Sequence, residues 1–111
     1  MELKILVALT ITFFSSLTYA DCSAGYCSDV KIVELYINAN GNIYVATDGD
    51  ESKLTCATVS NGGTHVTLKT SDANSKEIYS ALLASQRAGK KVGIRTDDQN
   101  GCNILYVRSK L

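Results

Sequence analysis

Four cysteines, Cys22, Cys27, Cys56 and Cys102, in a chain of 111 residues constrain this fold more than any other feature. In an oxidising compartment an even count in a short chain reads as a disulfide framework; in the cytosol it would read as metal or redox chemistry. The N-terminus favours the first. Lys4, an apolar run over 5–14 and the small-residue exit Thr18-Tyr19-Ala20 have the layout of a secretory signal. The run is too short for a membrane span, which needs about 20 residues. Asp21, directly before Cys22, stands where a lipoprotein signal needs a small residue, which argues against a lipid anchor. The expectation is a signal peptide over 1–20 and one disulfide-stabilised domain over 21–111, secreted or periplasmic.

Four cysteines allow three pairings, and sequence alone does not choose among them. The preferred set is Cys56–Cys102 with Cys22–Cys27. In the chain-entropy model the long loop is worth about 4 kcal/mol and the short one about 2. A domain this small buries only about 60–65% of its unfolded surface, so those terms matter. A zinc site fits poorly, because no C-x2-C pair is present and His65 is the lone histidine. Eleven basic residues face eleven acidic ones, and the signal segment takes one of each. Nucleic-acid binders usually carry a basic surplus for phosphate contacts, so nucleic acid is not an expected partner.

Residues 30–38 (VKIVELYIN) are β-branched and aromatic and read as a strand. Asn40-Gly41 is a hairpin signal, since both positions tolerate positive φ, and 43–47 form the returning strand. A two-residue loop would set Ile37 opposite Tyr44 and Leu35 opposite Ala46. Ile32, Tyr36, Ile43 and Val45 would then make a second apolar face, an oligomer or partner surface. Residues 52–59 alternate as a third strand and 64–70 as a fourth, with Val66 and Leu68 inward and a turn at 60–63 between them. Over 72–88 the period changes. Ile78, Tyr79, Leu82 and Leu83 share a helical face, Ser71 or Asp72 can cap its start, and Gly89 stands at the C′ position. Residues 91–96 and 103–108 form a last hairpin across 97–101. The expected fold is α+β, mainly β with one helix, in the order β-β-β-β-α-β-β.

That order, with one helix before the last two strands, suggests an OB-fold-like small barrel. Three pieces, Tyr44-Val45-Ala46-Thr47-Asp48-Gly49, Ile78-Tyr79-Ser80-Ala81-Leu82-Leu83 and Ala88-Gly89-Lys90-Lys91-Val92-Gly93-Ile94-Arg95, carry a resemblance to the B subunits of AB5 toxins, the subtilase-cytotoxin type above all. The resemblance implies a receptor-binding homopentamer with helices around a central pore, a cell-surface glycan as ligand and an exported A-type subunit as partner. The small-residue helix positions Ala81, Ala84, Ser85 and Ala88 agree with close approach of such helices.

Asp48, Asp50 and Glu51 form the densest acidic cluster, suited to sugar hydroxyls, to a calcium ion or to a solvated turn; the spacing does not complete an EF-hand loop, which favours the turn. Ser28 and Asp29 enter the first strand and, beside Asp48 and Asp50, are candidate binding residues. Tyr26, in the Cys22–Cys27 loop, could cover one end of the barrel. His65 lacks a serine or cysteine nucleophile in a recognisable setting, and no paired carboxylates, phosphate loop or C-x-x-C occurs. The reading is therefore a non-enzymatic exported binding protein with no cofactor or metal. The alternative is a monomeric periplasmic protein that binds or inhibits an envelope enzyme.

Overall fold

The computed structural model describes residues 20–56 and 64–109, so the expected signal segment lies outside it apart from Ala20. The described elements are β1 (Asp21–Ser23), β2 (Tyr26–Val30), β3 (Ile32–Ile37), β4 (Asn42–Thr47), β5 (Val66–Lys69), α1 (Ser75–Ala88), β6 (Val92–Thr96) and β7 (Ile104–Ser109). Two antiparallel sheets result, one ordered β1-β2-β6-β7 and the other β3-β4-β5. The chain is thus mainly β with a single helix among the described residues.

The sheets meet along two seams. At one, β2 passes into β3 across Lys31, whose N–H donates to Asp48 Oδ1 (2.8 Å) while its carbonyl accepts from Asp48 N (3.0 Å). At the other, Thr67 N donates to the Cys102 carbonyl at 3.0 Å, and Thr67 and Asn103 form a parallel bridge. Between the sheets Val30, Val45, Val66, Leu68 and Ile94 are fully buried, as is Leu82 of α1. The helix packs on β3, β5 and β7 and so closes this core. Both expected disulfides, Cys22–Cys27 and Cys56–Cys102, are formed and sit within it.

Several expectations are corrected. The expected strand over 30–38 is shorter, β3 over Ile32–Ile37, while Val30 ends β2; β2 pairs with β6, β3 pairs with β4, and Lys31 lies between them. The Cys22–Cys27 loop is itself a hairpin, β1 against β2, with Cys22 opposite Cys27. The β3–β4 hairpin is displaced by one residue, with Ile37 opposite Ile43, Tyr36 opposite Tyr44 and Leu35 opposite Val45. Asn38 N–H donates to the Asn42 carbonyl (2.8 Å), which leaves a loop of three residues, 39–41. Asn38 accepts Gly41 N–H through its carbonyl and Asn40 N–H through Oδ1, and Gly41 takes φ +85°. A turn followed by a left-handed glycine is the usual three-residue hairpin solution.

That displacement exchanges faces, because the side-chain period of a strand is two. Ile32, Ile43 and Val45 are buried in the core of this chain, and only Tyr36 of the four surface candidates is exposed. Residues 52–56 are not a strand. Glu51–Lys53 make one turn of 3-10 helix, capped by Asp50, and Leu54 bridges Ala24. Residues 57–59 of that expected strand and the 60–63 turn lie outside the described residues. The fourth strand is shorter than expected, with Val66 and Leu68 buried as anticipated.

The helix begins at Ser75, after a left-handed Asn74 that makes no side-chain cap, not at Asp72. Its end follows the sequence. Gly89 N–H reaches Gln86 O and Lys90 N–H reaches Ser85 O, a Schellman closure around left-handed Gly89.

Candidate functional site

The outer face of the β1-β2-β6-β7 sheet follows from strand alternation. Cys27, Ile94 and Val107 stand in register and point inward, so Tyr26, Arg95 and Tyr106, the next register row, point out. On the other side of the inward row, Gly93 pairs with Arg108 and these two also face out. Gly93 sits below the Tyr26 ring, and a Cβ there would collide with the Tyr26 hydroxyl. The absent side chain therefore lets Tyr26 lie flat across β6. Tyr26 and Tyr106 approach with ring centroids 6.5 Å apart.

Beside this row a cleft of about 140 Å³ opens, lined by Tyr26, Ser28, Asp29, Lys91, Val92, Gly93 and Arg108. A β-bulge between Cys27 and Val30 shapes it. Asp29 occupies that bulge with φ +51°, a left-handed backbone that aspartate tolerates better than most residues but that still costs about 1–2 kcal/mol. Strained positions of this kind concentrate at functional sites. Ser28 Oγ lies 3.5 Å from Asp29 Oδ2, too far for a strong hydrogen bond, so both groups retain capacity for a ligand. Lys91 and Arg108 add two cations, and neither is ion-paired among the described residues.

The four candidate binding residues divide. Ser28 and Asp29 line the cleft. Asp48 and Asp50 serve the backbone: Asp48 Oδ1 accepts from Lys31 N, while Asp50 Oδ1 accepts from Ser52 N (3.1 Å) and Ser52 Oγ (2.5 Å). The third member of that acidic cluster, Glu51, is buried and holds the turn together from inside. Sequence reasoning missed Lys91, Gly93 and Arg108, and it gave Tyr26 a covering role only. The signal was available in part: Val92 and Ile94 alternate with Lys91, Gly93 and Arg95, and Leu105 and Val107 alternate with Tyr106 and Arg108.

On the other sheet, Tyr36 rests 5.0 Å from Tyr44 and edge-on to His65 at 5.4 Å, and His65 Nε2 meets Glu34 Oε1 at 2.7 Å. No group of three or more His, Cys, Asp or Glu side chains spaced for a metal ion occurs among the described residues. Among the same residues no helix is long and apolar enough to cross a membrane. Neither a protein-family model nor a curated protein matches this chain.

Proposed function

We propose that this is an exported, non-enzymatic glycan-binding protein built on an OB-fold-like barrel, the reading that its resemblance to AB5 toxin B subunits implies. One observation carries it: a small polar cleft in which a strained carboxylate (Asp29), a hydroxyl (Ser28), two cations (Lys91, Arg108) and a flat aromatic ring (Tyr26) converge. Few precisely placed polar groups beside an aromatic surface are what a sugar with many hydroxyls requires. The OB-fold reading draws on the element order and on the two places where the sheets touch, the Lys31–Asp48 hydrogen bonds and the Thr67–Asn103 bridge; the described residues form two separate sheets and no closed barrel. Assembly as a homopentamer beside an A-type subunit belongs to the same proposal. Support for it comes from the exposed small positions Ala81, Ala84 and Ala88 of the helix.

A glycan array probed with the oxidised protein tests the cleft. Binding that disappears in Asp29→Asn and Ser28→Ala, with folding intact, is the expected result; unchanged binding in both variants would remove the cleft as the site. Light scattering tests assembly, with a mass near five protomers expected. A second reading, a monomeric periplasmic protein-binding or inhibitor protein, draws on β3, an edge strand among the described residues that carries the exposed Val33 and Ile37 (57 and 61% exposed). A monomer that loses an envelope partner on Ile37→Lys would favour it.

A further inference from the structure

We propose that the outer face of the four-stranded sheet is a track for an extended acidic polysaccharide, with the cleft as one sugar subsite along it. This rests on the glycan-binding reading and goes beyond it, since a cleft alone would accept a single terminal sugar. The cleft opens onto a row that crosses three strands, Tyr26 on β2, Arg95 on β6 and Tyr106 on β7. Gly93 and Arg95 are the outward positions of β6 and Lys91 directly precedes it in the same alternation, which places the two cations about 13 Å apart, with Arg108 beside the gap that Gly93 leaves. Lys91, Arg95 and Arg108 are exposed, and none is ion-paired among the described residues. Three unpaired cations concentrated on one face of a chain with balanced charge demand an anionic partner longer than one sugar.

The neighbouring groups select the kind of polyanion. Asp29 borders the same cations, and a continuous phosphate backbone would meet its negative charge at every step. A polysaccharide that alternates charged and uncharged sugars presents carboxylate or sulfate to Lys91, Arg95 and Arg108 and hydroxyl donors to Asp29 and Ser28. Tyr26 and Tyr106 supply flat surfaces for the apolar faces of sugar rings. An anionic lipid surface would need apolar side chains beside the cations. The exposed Leu105 instead lines a separate groove beside α1, with Ile78 and Lys69.

The test uses the oxidised protein purified from an exporting host. It is titrated with hyaluronan-derived oligosaccharides of increasing length, which alternate a uronic acid with an uncharged N-acetylated sugar, and with neutral oligosaccharides of matched length, single-stranded DNA and anionic phospholipid vesicles. The expected result is affinity that rises with length for the acidic series, falls with added salt, and drops about tenfold in each of Arg95→Gln and Arg108→Gln, the worth of one charge-assisted contact. Tyr106→Ala should lower affinity for long chains only. If binding is insensitive to length and to Arg95 yet lost in Asp29→Asn, the cleft takes a terminal sugar: the track is overturned and the glycan reading stands. Tighter binding to DNA or to vesicles overturns the polysaccharide assignment. Absence of binding to every glycan, acidic or neutral, overturns both readings.

Discussion

Glu51 shows how one side chain can hold a turn. It is 4% exposed, and its Oε1 accepts from both Thr47 N and Thr47 Oγ1 at 2.6 Å, while Thr47 Oγ1 in turn accepts from Gly49 N. Removing that oxygen leaves a buried N–H without a partner, which costs about 1–3 kcal/mol. Glu51→Ala should therefore lower the urea midpoint by that amount with m unchanged, and Glu51→Gln, which keeps an acceptor, should lose less. Equal losses in the two variants would defeat the hydrogen-bond account. Next to this turn, Lys53 Nζ lies 2.9 Å from Asp21 Oδ2. That hydrogen bond holds the Asp21 carboxyl below its ordinary value and the Lys53 ammonium above its own. The Asp21 contribution is thus complete above its unfolded-state value and lost as pH falls through the lower folded one; that of Lys53 is complete below its unfolded value and lost as pH rises through the folded one. The pair is exposed, so the effect is small and screened by salt. Lys53→Met should flatten the acid limb of stability against pH, and the difference from the parent should close in high salt. An acid limb identical in both proteins would show that the contact contributes nothing.

Among the elements, the β3–β4 hairpin depends most on a single backbone position. Gly41 holds φ +85°, and a Cβ there would lie 3.1 Å from Thr70 Oγ1. Gly41→Ala should cost about 1–2 kcal/mol, read as a lower melting temperature with the fold retained; a neutral result would mean that the loop can adopt another turn. The same residue explains what was legible in the sequence. Asn40-Gly41 announced a hairpin, but the preference of Asn38 for bonding its own loop chose three loop residues over two, and one residue of register moved Ile43 from an expected outer face to the core. The helix was legible because Leu82 and Ile78 repeat at its period and Gly89 marks its end. Its start was not, since Asn74 enters the helix through a left-handed backbone and not through a side-chain cap. Residues 52–56 alternate like a strand, yet Asp50 caps a 3-10 turn there and the Cys56 disulfide redirects the chain. Of the candidate site, Ser28 and Asp29 were found from their place at a strand entry. Arg95 and Arg108 stand at alternating positions of the last hairpin, but only the pairing of β2 with β6, more than sixty residues apart, brings Tyr26 beside them, and that pairing leaves no local pattern.

At the scale of the whole molecule, the two disulfides occupy different mechanical positions. Cys22–Cys27 joins residues that already face each other across β1 and β2, so it reinforces one hairpin at the edge of one sheet. Cys56–Cys102 spans 46 residues and ends at the seam between the sheets, where the Cys102 carbonyl accepts Thr67 N–H and Thr67 bridges Asn103. The Thr67 hydroxyl is buried there without a hydrogen-bond partner, so the seam gains no help from that side chain among the described residues. Loop entropy gives about 4 kcal/mol for the longer link and about 2 for the shorter, against a total stability of about 5–15 kcal/mol for a domain. Cys56→Ala with Cys102→Ala should therefore be the more damaging pair, and its first effect should be local. Hydrogen exchange at Thr67 and across β5 should rise towards that of an open seam while β1 and β2 remain protected. The Cys22→Ala, Cys27→Ala protein should show the reverse, with exchange raised in β1 and β2 and the seam intact. Uniform exchange in both variants would mean that the sheets unfold as one unit and that neither link has a local role. A seam that opens alone would also separate β7, with Tyr106 and Arg108, from β5 without disturbing its pairing to β6. On the proposed glycan-binding reading, the outer face of the four-stranded sheet then outlasts the seam, and affinity in the Cys56→Ala, Cys102→Ala protein falls only as far as its unfolded fraction requires.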